Sequence, residues 1–131
     1  MNAIAQPYTI QEQKVLEVFS RHFAAFNAGD LDAVLKDFGE HSVVMTPDGV
    51  FEGPEQIRAV YRNLLAEFGV IDRADSPGFV LDALHVHHET LFITWHAESK
   101  HHVYPFGTDT FICRGGQFER QSIAFSTPQP R

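Results

Sequence analysis

The period of the apolar pattern changes once along this chain, at Gly78, and that change restricts the fold more than any other feature of the sequence. Before it, apolar residues recur at three- and four-residue intervals; after it they alternate. Val15, Phe19, His22 and Phe26, widened by Leu16 and Phe23, predict a first helix, and Thr9 and Glu12 have the spacing of a capping box at its start. Leu31, Val34, Leu35 and Phe38 give a second, shorter helix between Asp30 and Gly39. Ile57, Tyr61, Leu64 and Phe68 give a third, opening at Pro54. Beyond Gly78, the segments Phe79 to His88, Leu91 to Lys100, Phe106 to Arg114 and Gln117 to Ser126 are rich in aromatic and β-branched residues and predict long strands. Arg114-Gly115-Gly116 predicts a hairpin turn between the last two. Helices first and a long antiparallel sheet after them predict an α+β domain with its helices on one sheet face.

Between the first and third helices the chain turns a tight corner, from Ala28 to Arg58. Gly29 can take the left-handed position after a helix, and Asp30 can cap the next. Asp48-Gly49 is expected to supply two positive-φ residues to a hairpin whose arms are Ser42 to Thr46 and Val50 to Glu52. Such a corner gathers residues from distant parts of the chain around one cavity. His22 and Tyr61 stand out there, because each puts a polar tip on an otherwise apolar helical stripe. The polar connector from Gly69 through Gly78 lies inside the domain, and residues 1–131 are expected to form one unit.

Charge and composition exclude several function classes. A net charge of −7, with no run of lysine or arginine, disfavours nucleic acid and anionic membrane surfaces as partners. No apolar run approaches the ~20 residues that span a bilayer. The start, MNAIAQPYTI, lacks a basic segment followed by an apolar core, and a cytoplasmic location is expected. Cys113, the one cysteine, has no disulfide partner and suits a small apolar strand position. Six of the eight histidines fall between His85 and His102. His85 and His87, two apart on one strand, have the local geometry of a metal-binding pair. Glu89 follows too soon, however, and the front helices do not suit a cupin barrel. No metal is therefore assigned, and a pH-sensitive subunit surface explains the histidines equally well.

The segments HFAAFNAGDLDAVLKDF, VVMTPDGVFEGPEQIRAVYRNLL and GTDTFICRGGQFERQSIAF resemble the NTF2-like superfamily, and within it the SnoaL-like and ketosteroid-isomerase-like proteins of cystatin-like fold. The likeness spans residues 10–126. It implies a cone in which three N-terminal helices pack on the concave face of a strongly bent, mixed but mostly antiparallel sheet. It also implies an apolar pocket between helices and sheet, and a homodimer formed through the convex face. Carried over by position, His22 falls where the isomerases place an oxyanion-binding tyrosine, Tyr61 where a supporting tyrosine sits, and Asp109 where a pocket aspartic acid donates a hydrogen bond. Thr46 occupies the position of the isomerases' catalytic aspartate. A threonine hydroxyl cannot take a carbon-bound proton at neutral pH, so ketosteroid isomerisation is disfavoured. Asp109 and His96 match the acid and histidine of the polyketide-cyclase branch, in a register that leaves open whether His96 or Trp95 faces inward.

The residues and the resemblance together nominate His22 and Asp109 for acid–base chemistry. A carboxyl group lining an apolar cavity resists ionisation and can act as an acid near neutral pH. Thr46, Tyr61, His96, Phe111, Gln121 and Phe125 are expected to contact the ligand. The function expected is that of a cofactor-independent isomerase, cyclase or dehydratase acting on a small hydrophobic carbonyl compound. A non-catalytic small-molecule binding protein on the same fold is the alternative.

Overall fold

The computed structural model describes residues 7–68 and 78–131. Helix α1 (Ile10–Asn27) starts at the expected capping box: Thr9 Oγ1 accepts from the Glu12 amide at 3.0 Å, and Glu12 Oε1 accepts from the Thr9 amide at 3.0 Å. Glu12 Oε2 accepts in turn from the His88 amide at 2.9 Å, which ties the helix start to a β-turn far along the chain. Helix α2 (Leu31–Leu35) is capped by Asp30 and is shorter than expected. Phe38 belongs instead to strand β1 (Phe38–Thr46), because it pairs in register with Phe118 and packs against its ring. Strand β2 (Gly49–Glu52) completes the first hairpin. Its two-residue turn is Pro47-Asp48, so the expected Asp48-Gly49 turn is displaced by one residue. Gly49 opens β2 with φ 148°, and Asp48 keeps a negative φ. Helix α3 (Gly53–Phe68) buries Ile57, Val60, Tyr61 and Phe68.

Strands β3 (Gly78–His87), β4 (Thr90–Glu98), β5 (His102–Arg114) and β6 (Gln117–Phe125) follow, with a two-residue β7 (Gln129–Pro130) beside the start of β5. Gly115 and Gly116, at φ 61° and 79°, make the last hairpin turn as expected. The sheet runs β2-β1-β6-β5-β4-β3; the β1–β6 pair is parallel and the rest antiparallel. Register shifts interrupt four of its ladders: β1–β6, β3–β4, β4–β5 and β5–β6. Each shift leaves at least one residue unpaired in one strand, three of them in β1 opposite β6, and adds bend and twist. The sheet therefore curls, and α1 and α3 lie against its concave side. Concave positions carry Leu91, Ile93, Trp95, Asp109, Phe111, Gln121 and Ile123, all buried. Among the described residues no helix is long and apolar enough to cross a membrane.

Candidate functional site

Helices and sheet do not close completely over the concave face. They leave a cavity of about 220 Å³ walled mostly by rings: Phe19, Phe23 and Phe26 of α1, Phe68 of α3, and Phe79, Phe111 and Phe125 of the strands. Burying this much aromatic surface stabilises the fold through the hydrophobic effect, yet side chains of this stiffness cannot fill an arbitrary concavity. Four of the cavity's polar groups, His22, Tyr61, Asp109 and Gln121, meet at one wall, while Asn63, Glu67 and Tyr104 line it elsewhere.

Those four side chains form a continuous relay. The buried Asp37, at the junction of α2 and β1, accepts from Arg21 Nε at 2.8 Å through Oδ1 and contacts His22 Nδ1 at 3.2 Å through Oδ2. His22 Nε2 lies 3.1 Å from the Tyr61 hydroxyl, which donates to Gln121 Oε1 at 2.5 Å. Gln121 Nε2 donates to Asp109 Oδ2 at 3.0 Å, and the Trp95 indole donates to Asp109 Oδ1 at 2.9 Å. Every member of this relay except Arg21 is buried, so each hydrogen bond matters: leaving one such group unpaired costs about 1–3 kcal/mol.

Burial pushes the Asp109 carboxyl up to about 6, against the donors Trp95 and Gln121, which hold it down. Burial also raises the Tyr61 phenol well above its ordinary value, helped by the negative charge of Asp109. Tyr61 is thus a neutral hydroxyl at any physiological pH, while Asp109 is poised to hold or release a proton near neutrality. At the rim, Glu67 Oε2 accepts from Ser99 Oγ at 2.7 Å and Tyr104 at 2.8 Å, with His102 Nδ1 at 3.1 Å. Burial would raise Glu67, but these three partners outweigh it and leave the carboxyl below its ordinary value. The cluster pins the end of α3 to the start of β5.

Of the residues expected at the site, His22, Asp109, Tyr61, Phe111, Gln121 and Phe125 line the cavity. Thr46 and His96 do not, and both expectations are corrected. Thr46 ends β1, where its hydroxyl accepts from the Asp48 amide at 3.0 Å and closes the hairpin turn. His96 points to the convex side and pairs with Asp82 at 2.8 Å, while its neighbour Trp95 faces in. The cause is the unbroken alternation of β4, in which Leu91, Ile93, Trp95 and Ala97 are buried in turn. Opposite these residues β5 carries an additional one between Gly107 and Tyr104, and Trp95 and Ala97 keep the inward face of β4. Trp95 fits because its partner is Gly107: a Cβ there would stand 2.2 Å from the indole ring. Asp37 went unrecognised in the sequence. No spacing rule connects it to His22, since its burial depends on β1 docking beside β6.

Among the described residues no three His, Cys, Asp or Glu side chains gather to hold a metal ion. His85 and His87 share a face of β3, the exposed outer one. Cys113 is buried, and burial raises its thiol above the ordinary value, as suits an inert strand residue.

Residues 19–120 match the SnoaL-like domain. No curated protein matches the chain. Among solved structures, an NTF2-like protein of unknown function from Burkholderia xenovorans LB400 superposes with a TM-score of 0.72 at 16% identity, covering 92% of this chain and 88% of that one. A protein of unknown function with cystatin-like fold from Methylobium petroleophilum PM1 gives 0.69 at 18% identity, over 93% and 82%. The epoxide hydrolase/cyclase-like enzyme SalBIII, which acts in pyran ring formation in the polyether salinomycin, gives 0.73 at 18% identity, over 88% and 93%. At these identities the structural likeness establishes the fold and leaves the chemistry to the site.

Proposed function

The chain belongs to the SnoaL-like domain family, and on that premise we propose that it is an enzyme acting by proton transfer on a small, largely apolar carbonyl or enol compound. Asp109 carries the reading. It is a carboxyl group at the wall of an aromatic cavity, pushed up to about 6, with both oxygens oriented by indole and amide donors. Protonated, it can donate to a carbonyl oxygen; ionised, it can take a proton from the adjacent carbon. Tyr61 and His22 extend the polar wall behind it. The cavity is about half again the roughly 150 Å³ that admits benzene, which suits a ligand of one or two rings. Isomerisation, cyclisation and dehydration all fit this equipment, and the cyclase-like activity of SalBIII on the same fold is in keeping with it.

A binding-only role is the second reading. It is favoured by the engagement of both Asp109 oxygens within the protein and by the absence of Thr46 from the cavity lining. Hydrogen–deuterium exchange at the carbon next to the carbonyl of small cyclic ketones, followed by NMR in D2O, separates the two. An enzyme promotes exchange, and Asp109→Asn lowers the rate by about 100-fold or more while the ketone still binds. Ketones that bind without any exchange would leave only the binding role.

A further inference from the structure

His22 and Asp109 stand at the two ends of a chain whose links have limited capacity. The Tyr61 hydroxyl has one hydrogen, and the Gln121 amide offers N–H on one side and a carbonyl on the other. Asp37 fixes the near end, since a buried carboxylate accepts the Nδ1 hydrogen of His22 and leaves Nε2 as the variable position. With Gln121 donating to Asp109 and accepting from Tyr61, no hydrogen remains on Tyr61 for His22. The 3.1 Å contact is then completed by a hydrogen on His22 Nε2. Turning the amide over reverses every link. Asp109 then donates to Gln121 Oε1, Gln121 Nε2 donates to the Tyr61 oxygen, and Tyr61 donates to a bare His22 Nε2.

The two arrangements contain the same number of protons. Between them one N–H bond at His22 breaks and one O–H bond at Asp109 forms. The nitrogen keeps the electron pair, and Tyr61 and Gln121 end with the hydrogens they began with. With no ligand acceptor in the cavity, any other count sets donor against donor, sets acceptor against acceptor, or turns the Asp109 O–H into the apolar cavity unpaired. We propose that His22 Nε2 and the Asp109 carboxyl share a single proton, and that the amide of Gln121 is the switch that assigns it to one end or the other. The groups facing the pair are those already described. His22 meets Asp37 from the α2–β1 junction and Tyr61 from α3, with Phe38, Phe111 and Phe118 rings around it, and Arg21 reaches the other oxygen of Asp37. Asp109 meets Trp95 from β4 and Gln121 from β6. The shared proton is independent of turnover and holds equally if the cavity only binds its ligand.

NMR of the full chain, labelled in the histidine ring nitrogens and the aspartate carboxyl carbons, tests this directly. In Asp109→Asn the indole of Trp95 demands an acceptor, which leaves the new N–H2 facing Gln121. The amide must then turn, and His22 Nε2 should move from the protonated to the bare class of ring nitrogen. In the unmodified protein, protonation at Nε2 and at the Asp109 carboxyl should never sum to more than one proton and should be lost in a single shared step. An Nε2 unchanged by Asp109→Asn would overturn the proposal. So would two ends that titrate independently in the unmodified protein, a measurement that stands even if the variant fails to fold.

Discussion

Asp37 and Asp109 are both buried acids, yet opposite physics governs them. Asp37 is answered by the Arg21 guanidinium and the His22 ring, whereas Asp109 has only neutral donors and an aromatic wall. The folded-state value of Asp109, about 6, lies above its ordinary 3.8, so protonation favours the fold. The stability it contributes is fully present below about pH 4 and is lost as the pH rises through about 6. Asp109→Asn should therefore exceed the unmodified protein in stability at pH 8, by on the order of 2–3 kcal/mol, and lose that advantage near pH 4. Urea unfolding at the two pH values measures it; an equal difference at both would show that the carboxyl is not held against ionisation. His22 and Tyr61 were legible in the sequence as polar tips on apolar helical stripes, and Asp109 and Gln121 through the family resemblance. Asp37 was not, because its burial arises from the pairing of Phe38 with Phe118, residues eighty positions apart.

At the scale of elements, local signals located most boundaries. The capping box set the start of α1, Gly29 with φ 72° marked its end, and the glycine pair set the last hairpin. The register shifts were illegible, since an extra residue in one strand shows only against its partner. The extra residue in β5 also hides the match between β4 and β5 from the sequence, which is why the choice between His96 and Trp95 stayed open until the structure placed Trp95 inward. The Trp95–Gly107 contact is the element-level device that brings the indole to Asp109. Gly107→Ala should force the ring aside, cost about 1–3 kcal/mol in chemical denaturation, and shift the tryptophan fluorescence as its N–H loses the carboxylate. An alanine variant with unchanged stability and emission would mean that the ring has room elsewhere.

For the whole molecule, the convex face of the sheet is the side turned away from α1 and α3. Its outer row, read across the register, is His85, Phe92, Thr110, Ser122 and Met45, and Met45 is 40% exposed. We propose that two copies pair through this face. Light scattering should give twice the 14.8 kDa chain mass, and Phe92→Glu should halve it without unfolding the protein. A monomer at all concentrations would remove the proposal. The order of the strands also has a consequence for synthesis. Strand β6 lies between β1 and β5, so a nascent chain holds its first strand without a neighbour on that side until β6, far along the chain, has been made. Until then Tyr61 lacks Gln121, and the cavity lacks part of its polar wall. The docking of β6 beside β1 is in that sense the step that closes the sheet, and it waits on a pairing between segments far apart in the chain.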